Sequence, residues 1–181
     1  MARKVEVAPY DPAWPAQFQA EADRLRPLFS DNLVAIHHMG STAVPGLSAK
    51  PILDLLVEVR DLARVDALNE ALGALGYTPR GEYGLPGRRY FPRILPGATD
   101  RHTHHVHVYQ TGNPENARHL AVRDYLRAHP DEAAAYAQIK QALADQHPWD
   151  IDAYVDGKDA YVKALEARAM AWAAGQPAPP R

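Results

Sequence analysis

The sequence predicts an α/β protein of the α+β kind: a mixed sheet with flanking helices, followed by a helical C-terminal part. Three observations predict it. β-Branched runs at residues 33–36 and 51–59 read as strands, apolar residues recur at helical spacing around them, and from Asn113 onward the pattern is helical almost throughout. Strands that mix with helices early and helices that gather late favour one domain over two.

In chain order, Val5-Glu6-Val7 reads as a short edge strand. Residues 14–29 read as an amphipathic helix through Phe18, Ala22, Leu25 and Leu28, opened by Asp11-Pro12 turn chemistry. After the strand at 33–36, residues 40–50 hold two glycines, a proline and three hydroxyl residues, which is loop chemistry. The strand at 51–59 precedes a helix over 62–75, spaced by Leu62, Val65, Leu68, Leu72 and Leu75 and stopped by Gly76. Extended segments at 77–79 and 89–95 flank a loop with Gly81, Gly84, Pro86 and Gly87, which has the composition of a flexible lid. A strand carries the histidines of 102–109. Helices follow over 114–128, from Pro130, and from about Val155-Asp156-Gly157 to Trp172. These give a single domain over 1–174, with 113–174 as its helical part and 175–181 as a disordered Pro-rich tail.

The chemistry concentrates between His37 and Asp54. A Gly40-Ser41-Thr42 turn follows one strand, and a lone carboxylate, Asp54, sits within the next among Ile52, Leu53, Leu55 and Leu56. A small-residue turn presents N–H groups to phosphate, and an acid one strand away can hold the cation that neutralises it. An acid in such an apolar run needs a cation, hydrogen bonds or a cleft edge. The structural alternative is that Asp54 caps a loop or pairs with Lys50.

Four of the nine histidines, His102, His104, His105 and His107, crowd one strand. Strand alternation places His105 and His107 on one face and His102 and His104 on the other. Imidazoles at i and i+2 can converge on one ion, and with Asp54 they would favour Zn²⁺ or Mn²⁺ over Mg²⁺. Otherwise they are half-exposed strand residues or phosphate donors. His38 is placed to orient the Gly-Ser loop. Arg89 is a candidate phosphate anchor, or else an ordinary surface arginine.

Composition narrows the function. There are no cysteines, so thiolate catalysis and cysteine-based zinc sites are excluded. A net charge of −2 argues against broad nucleic-acid binding and favours a nucleotide-sized ligand. No window reads as a signal peptide or a membrane span, so a cytoplasmic location is expected. No protein partner is indicated.

The string His38-Met39-Gly40-Ser41-Thr42-Ala43-Val44-Pro45-Gly46-Leu47, with Lys50-Pro51 and Asp54, resembles the GrpB family of the nucleotidyltransferase-like superfamily. The likeness extends to Tyr10-Asp11-Pro12, Trp14, the histidine strand, and Arg123-Asp124-Tyr125-Leu126-Arg127 with His129-Pro130. It implies a nucleotidyltransferase-like fold more firmly than a substrate. Members that use two metal ions place a second acid two residues after the first; that position is Leu56 here. Glu58 shares the strand face but lies roughly 13 Å along it. The expected function is therefore metal-dependent nucleotidyltransferase-type binding of a nucleoside triphosphate or related phosphorylated ligand. Gly40, Ser41, Thr42, Lys50 and Arg89 would contact it, and Asp54, His105 and His107 would be both catalytic and metal-ligating, with Mg²⁺, Mn²⁺ or Zn²⁺ as cofactor. The alternative is an inactive nucleotide-, coenzyme- or partner-binding module, and last a histidine-based metal hydrolase.

Overall fold

The computed structural model describes residues 4–98 and 101–176. Helix α1 (Trp14–Phe29) leads into β1 (Leu33–Met39) and β2 (Leu53–Val59). Helix α2 (Asn69–Ala74), β3 (Arg88–Ile94) and β4 (His102–Gln110) follow, then α3 (Pro114–Ala128), α4 (Pro130–Gln146) and α5 (Ile151–Ala174). The sheet order is β1-β2-β4-β3, with β2 and β4 parallel at its centre and antiparallel strands at both edges. Among the described residues, no helix is long and apolar enough to cross a membrane.

Strand alternation divides the sheet into two unlike faces. Leu53, Leu55, Val57, Val59, Phe91, Val106 and Val108 are buried against Trp14, Leu25 and Phe29 of α1, Val65, and Leu72 of α2. Each such fully buried side chain contributes about 1.5–3 kcal/mol. The opposite face carries Asp54, Leu56, His105, His107 and Tyr109, and there Leu56 packs with Met39, Tyr109 and Leu120 of α3. Val44 and Leu47 of the β1–β2 connection pack into the core of α3, α4 and α5 through Leu126, Tyr136 and Leu165. That connection is therefore held between the sheet and the helical part.

Four expectations change. Residues 5–7 do not join the sheet: Val5 packs with Ala144 and Tyr154, donates to the Pro148 carbonyl at 2.9 Å, and Ala8 forms an isolated bridge with Ala49. The helix expected over 62–75 is a 3₁₀ segment, Ala63–Leu68, that passes into the short α2. Leu62, Val65 and Leu68 recur every three residues, which aligns them on a 3₁₀ turn, whereas the four-residue step to Leu72 fits an α-turn. Helix α5 starts a turn early, because Asp150 accepts from the Ala153 N–H at 2.9 Å and caps it. The loop read as a lid is clipped, since Glu82 accepts from the Gly87 N–H at 2.8 Å and Arg88 donates to the carbonyls of Glu82 and Tyr83. Most of the tail expected from residue 175 lies outside the described residues.

Candidate functional site

Strand pairing assembles the site. Antiparallel β1–β2 pairing sets Met39 opposite Asp54, so the turn that follows β1 lands beside the carboxylate; parallel β2–β4 pairing sets Asp54 beside His105 and Leu56 beside His107. Gly40 opens the turn at φ 72° and ψ −172°, a conformation essentially restricted to glycine. A Cβ there would lie 2.8 Å from Asp54 Oδ2, so the approach also requires the missing side chain.

On the acid's other side, His105 Nδ1 lies 3.2 Å and His107 Nε2 3.6 Å from Asp54 Oδ1, and the three donor atoms lie within 4.8 Å of one another. Ligands bound tetrahedrally at about 2.0–2.2 Å stand about 3.3–3.6 Å apart, and the two distances to Asp54 Oδ1 are close to that spacing, as a mixed carboxylate–imidazole ion site requires. Burial alone would raise the Asp54 pKa, but the hydrogen bond with His105 and the close polar contact of His107 hold it far below the usual carboxylate range. Burial lowers the His107 pKa and favours the neutral ring that metal ligation needs. The His107 Nδ1 is buried without a hydrogen-bond partner.

His102 was expected on the opposite face, yet its Nδ1 lies 2.8 Å from His105 Nε2. A register shift in the β3–β4 ladder, where Arg93 faces His104 and Ile94 faces His102, turns it toward His105. In the tautomer that leaves His105 Nδ1 a lone pair, the Nε2–H donates to His102 and fixes the ring. His104 does face away, toward Tyr77, at 6.4 Å between ring centroids.

The Gly-Ser turn is tied down from both sides. His38 Nε2 pairs with Thr42 Oγ1 at 2.9 Å and its ring stacks on Phe18. Burial, then the charge of Arg127, lowers the His38 pKa to about 4, so this buried link is uncharged at neutral pH. Arg123 donates to the His38 carbonyl and Arg127 to the Ala43 carbonyl, at 3.1 and 2.9 Å. Thr42 thus lines the cavity with its hydroxyl engaged by His38.

Beside Asp54 opens a cavity of about 270 Å³, lined by Gly40, Ser41, Lys50, His105, Lys140 and Lys158 among others. Lys140, 3% exposed, donates to Ser41 Oγ at 2.9 Å and to the Ser48 carbonyl. Burial, then the charges of Lys158 and Lys50, depress its pKa to about 7. Burial also lowers that of Lys158, opposed by the charge of Asp54. Three lysines against one carboxylate give the cavity a preference for polyanions.

The structure brings Gly40, Ser41, Thr42, Lys50, Asp54, His105 and His107 together and leaves Arg89 out. Arg89 faces Val108 in the β3–β4 ladder, which puts it on the core face of the sheet, and it forms a two-point ion pair with Asp66 at 2.6 and 2.9 Å. Glu58 is likewise apart, with His37 at 3.1 Å. Sequence reasoning misses Lys158 and Tyr154, both on α5. Their i, i+4 spacing on α5 was the available signal. His119 was missed as well; burial and then the charge of Arg118 depress it to about 4, and its ring lies 6.2 Å from His107.

The family model for GrpB protein matches residues 4–168. UPF0157 protein YqkA of Bacillus subtilis (strain 168) is 47% identical over 174 residues, which is 96% of this chain and 50% of that protein, so the chain spans half the length of that relative. The crystal structure of conserved protein GrpB from Enterococcus faecalis superposes with a TM-score of 0.87 at 43% identity, over 93% of this chain and 99% of that one. The Cid1 poly(U) polymerase, solved bound to MgATP, superposes at a TM-score of 0.51 and 13% identity, over 75% of this chain and 45% of that one, a likeness of fold alone. With the site's strands and loop lying inside the matched span, the chain belongs to the GrpB family and has a nucleotidyltransferase-like fold.

Proposed function

We propose that this chain is a metal-dependent nucleotidyltransferase-type protein that binds a nucleoside triphosphate or a related phosphorylated ligand. The observation that carries the reading is the convergence of Asp54, His105 and His107, the first two of which line a cavity that also holds the Gly40 turn and three lysines. Asp54, His105 and His107 would hold a divalent ion, Mn²⁺ or Zn²⁺ in preference to Mg²⁺ because two of the three donors are imidazoles. Such an ion supplies Lewis-acid stabilisation of phosphoryl oxygens. Ser41 and the turn's backbone orient the terminal phosphates, while Lys50, Lys140 and Lys158 offset their charge.

One observation favours a second reading, a binding module that has lost transfer chemistry. Leu56 occupies the place of the superfamily's second acid and is fully buried, so a two-ion site of the ordinary kind cannot form on β2. Calorimetry with ATP in Mn²⁺ and in EDTA, followed by product analysis, separates the two. Metal-dependent binding with turnover supports the transferase, and metal-independent binding without turnover supports the module. Asp54→Asn is expected to abolish Mn²⁺-dependent binding; full retention by that variant refutes the proposed site.

A further inference from the structure

The aromatic rings within the lysine cavity are already committed to partners. Lys140 Nζ lies 4.6 Å from the Tyr136 ring centroid, and Tyr161 stacks on the same ring at 5.6 Å and 15°. Tyr154 carries Lys50 at 4.9 Å and Lys158 at 5.7 Å. Among the described residues, a planar ligand ring finds its open aromatic face outside that cavity. His105 is the link, because it lines the cavity and also touches Tyr90, with ring centroids 5.6 Å apart. Tyr90 also meets His107 at 5.1 Å, and Tyr83 stacks on Tyr90 at 5.3 Å and 28°. Tyr90 is buried, whereas Tyr83 is 65% exposed. An aromatic ledge therefore runs from the candidate ion ligands to solvent and ends in an accessible ring.

The ledge is held in place by its loop. Tyr83 has φ 45°, in the left-handed region, where a bulky L-residue persists only when its surroundings over-determine it. Arg88 supplies the constraint: its side chain is buried, and it donates to the Tyr83 carbonyl at 2.8 Å and to the Glu82 carbonyl at 3.2 Å. Glu82 closes the loop through the Gly87 N–H. Holding a mostly exposed tyrosine in a strained conformation gains little burial, so packing does not account for it.

We infer that Tyr83, backed by Tyr90, is the stacking platform for the base of a nucleotide whose phosphates occupy the lysine cavity; this rests on the phosphate reading above. Every base has a π-face, so such a platform binds bases with little discrimination, and stacking of this kind contributes about 5- to 150-fold in affinity.

The test is calorimetry on the full chain in Mn²⁺ with two ligands, ATP and inorganic tripolyphosphate. The wild type is expected to bind ATP about 10-fold more tightly than tripolyphosphate or better. Tyr83→Gly, which removes the ring and accepts the left-handed backbone, is expected to bring ATP down to the tripolyphosphate level, as is Tyr83→Ala. Tyr83→Phe is expected to keep the difference. Equal affinity of the two ligands for the wild type, or a difference that survives Tyr83→Gly, overturns the platform while leaving the phosphate site standing. Failure of both ligands to bind overturns the phosphate reading and the platform with it.

Discussion

Gly40→Ala tests whether the loop and the acid form one device. The glycine sits at φ 72° and ψ −172°, where a Cβ costs about 1–3 kcal/mol in backbone strain. The new Cβ would also lie 2.8 Å from Asp54 Oδ2 and 3.3 Å from Asp54 Cβ. Asp54 is paired on both sides, with β1 and with β4, so its backbone cannot retreat and the carboxylate must rotate. Rotation moves Oδ1 out of its 3.2 and 3.6 Å relations with His105 and His107. Two outcomes are expected: a stability loss of about 2 kcal/mol, which for a chain of this size lowers Tm by about 4–8 °C, and Mn²⁺ affinity reduced about 10-fold or more. Gly46→Ala is the control. Gly46 also has positive φ, 78°, but a Cβ there meets nothing within 4 Å, so it reports backbone strain alone. Scanning calorimetry of both variants with and without Mn²⁺ makes the comparison. If Gly40→Ala loses no more metal affinity than Gly46→Ala, the glycine does not shape the acid's position and the argument from close approach is wrong.

Two further perturbations probe the cavity and the core beneath it. Lys140 is depressed to about 7 by burial and then by Lys158 and Lys50, while the unfolded chain keeps an ordinary lysine near 10.4. Between those values the unfolded state binds the extra proton, so the stability of the ligand-free protein rises with pH from about 7 to about 10, and below about pH 7 the slope vanishes. A polyanion favours the ammonium form, so tripolyphosphate affinity should fall from about pH 6 to about pH 8.5 and binding should take up a proton. Calorimetry in buffers of different ionisation enthalpy reads this, and an unchanged pH slope in Lys140→Met would show that another group is responsible. Leu56→Asp, which restores the superfamily's second acid, is expected to remove most of the fold's stability. It combines a core truncation of about 2–5 kcal/mol with an unpaired charge among Met39, Tyr109 and Leu120; a well-folded Leu56→Asp protein would refute the view that packing bars the acid.

Local chemistry was legible in the sequence, and long-range register was not. Helix α3 begins at Pro114 and ends at Ala128 as its spacing predicts, because Asn113 caps it and Pro130 restarts the chain. Asp54 stood out because its neighbours are core residues, and the His105–His107 pair followed from alternation alone. Arg89 illustrates the limit: telling that Arg88 and not Arg89 shares the site face requires knowing that Tyr90 lies opposite His107, which only the β3–β4 pairing supplies. His102 fails for the same reason, since one register shift reverses its face. Lys158 comes from a helix more than a hundred residues after Asp54. Its place depends on α4–α5 packing at Gly157, where a Cβ would lie 2.5 Å from Leu143 Cδ2.

The single acid and the buried leucine are consistent parts of one arrangement. Neighbouring strands lie about 4.8 Å apart, whereas two residues along one strand span about 6.6 Å, so a side chain on β4 opposite Asp54 reaches it more closely than one at position 56. Parallel pairing of β2 with β4 places His105 there and His107 one step further on the same face. Position 56 is then free to serve the core, and on the reading proposed above the ion's second and third donors would be imidazoles in place of carboxylates. On the reading proposed here, the charge balance follows: a divalent ion held by one carboxylate retains positive charge, and Lys50, Lys140 and Lys158 add to it. A second acid on β2 would cancel part of that charge before any ligand arrived. The histidine strand and the lysine cavity thus favour the same ligand, one that brings several negative charges of its own.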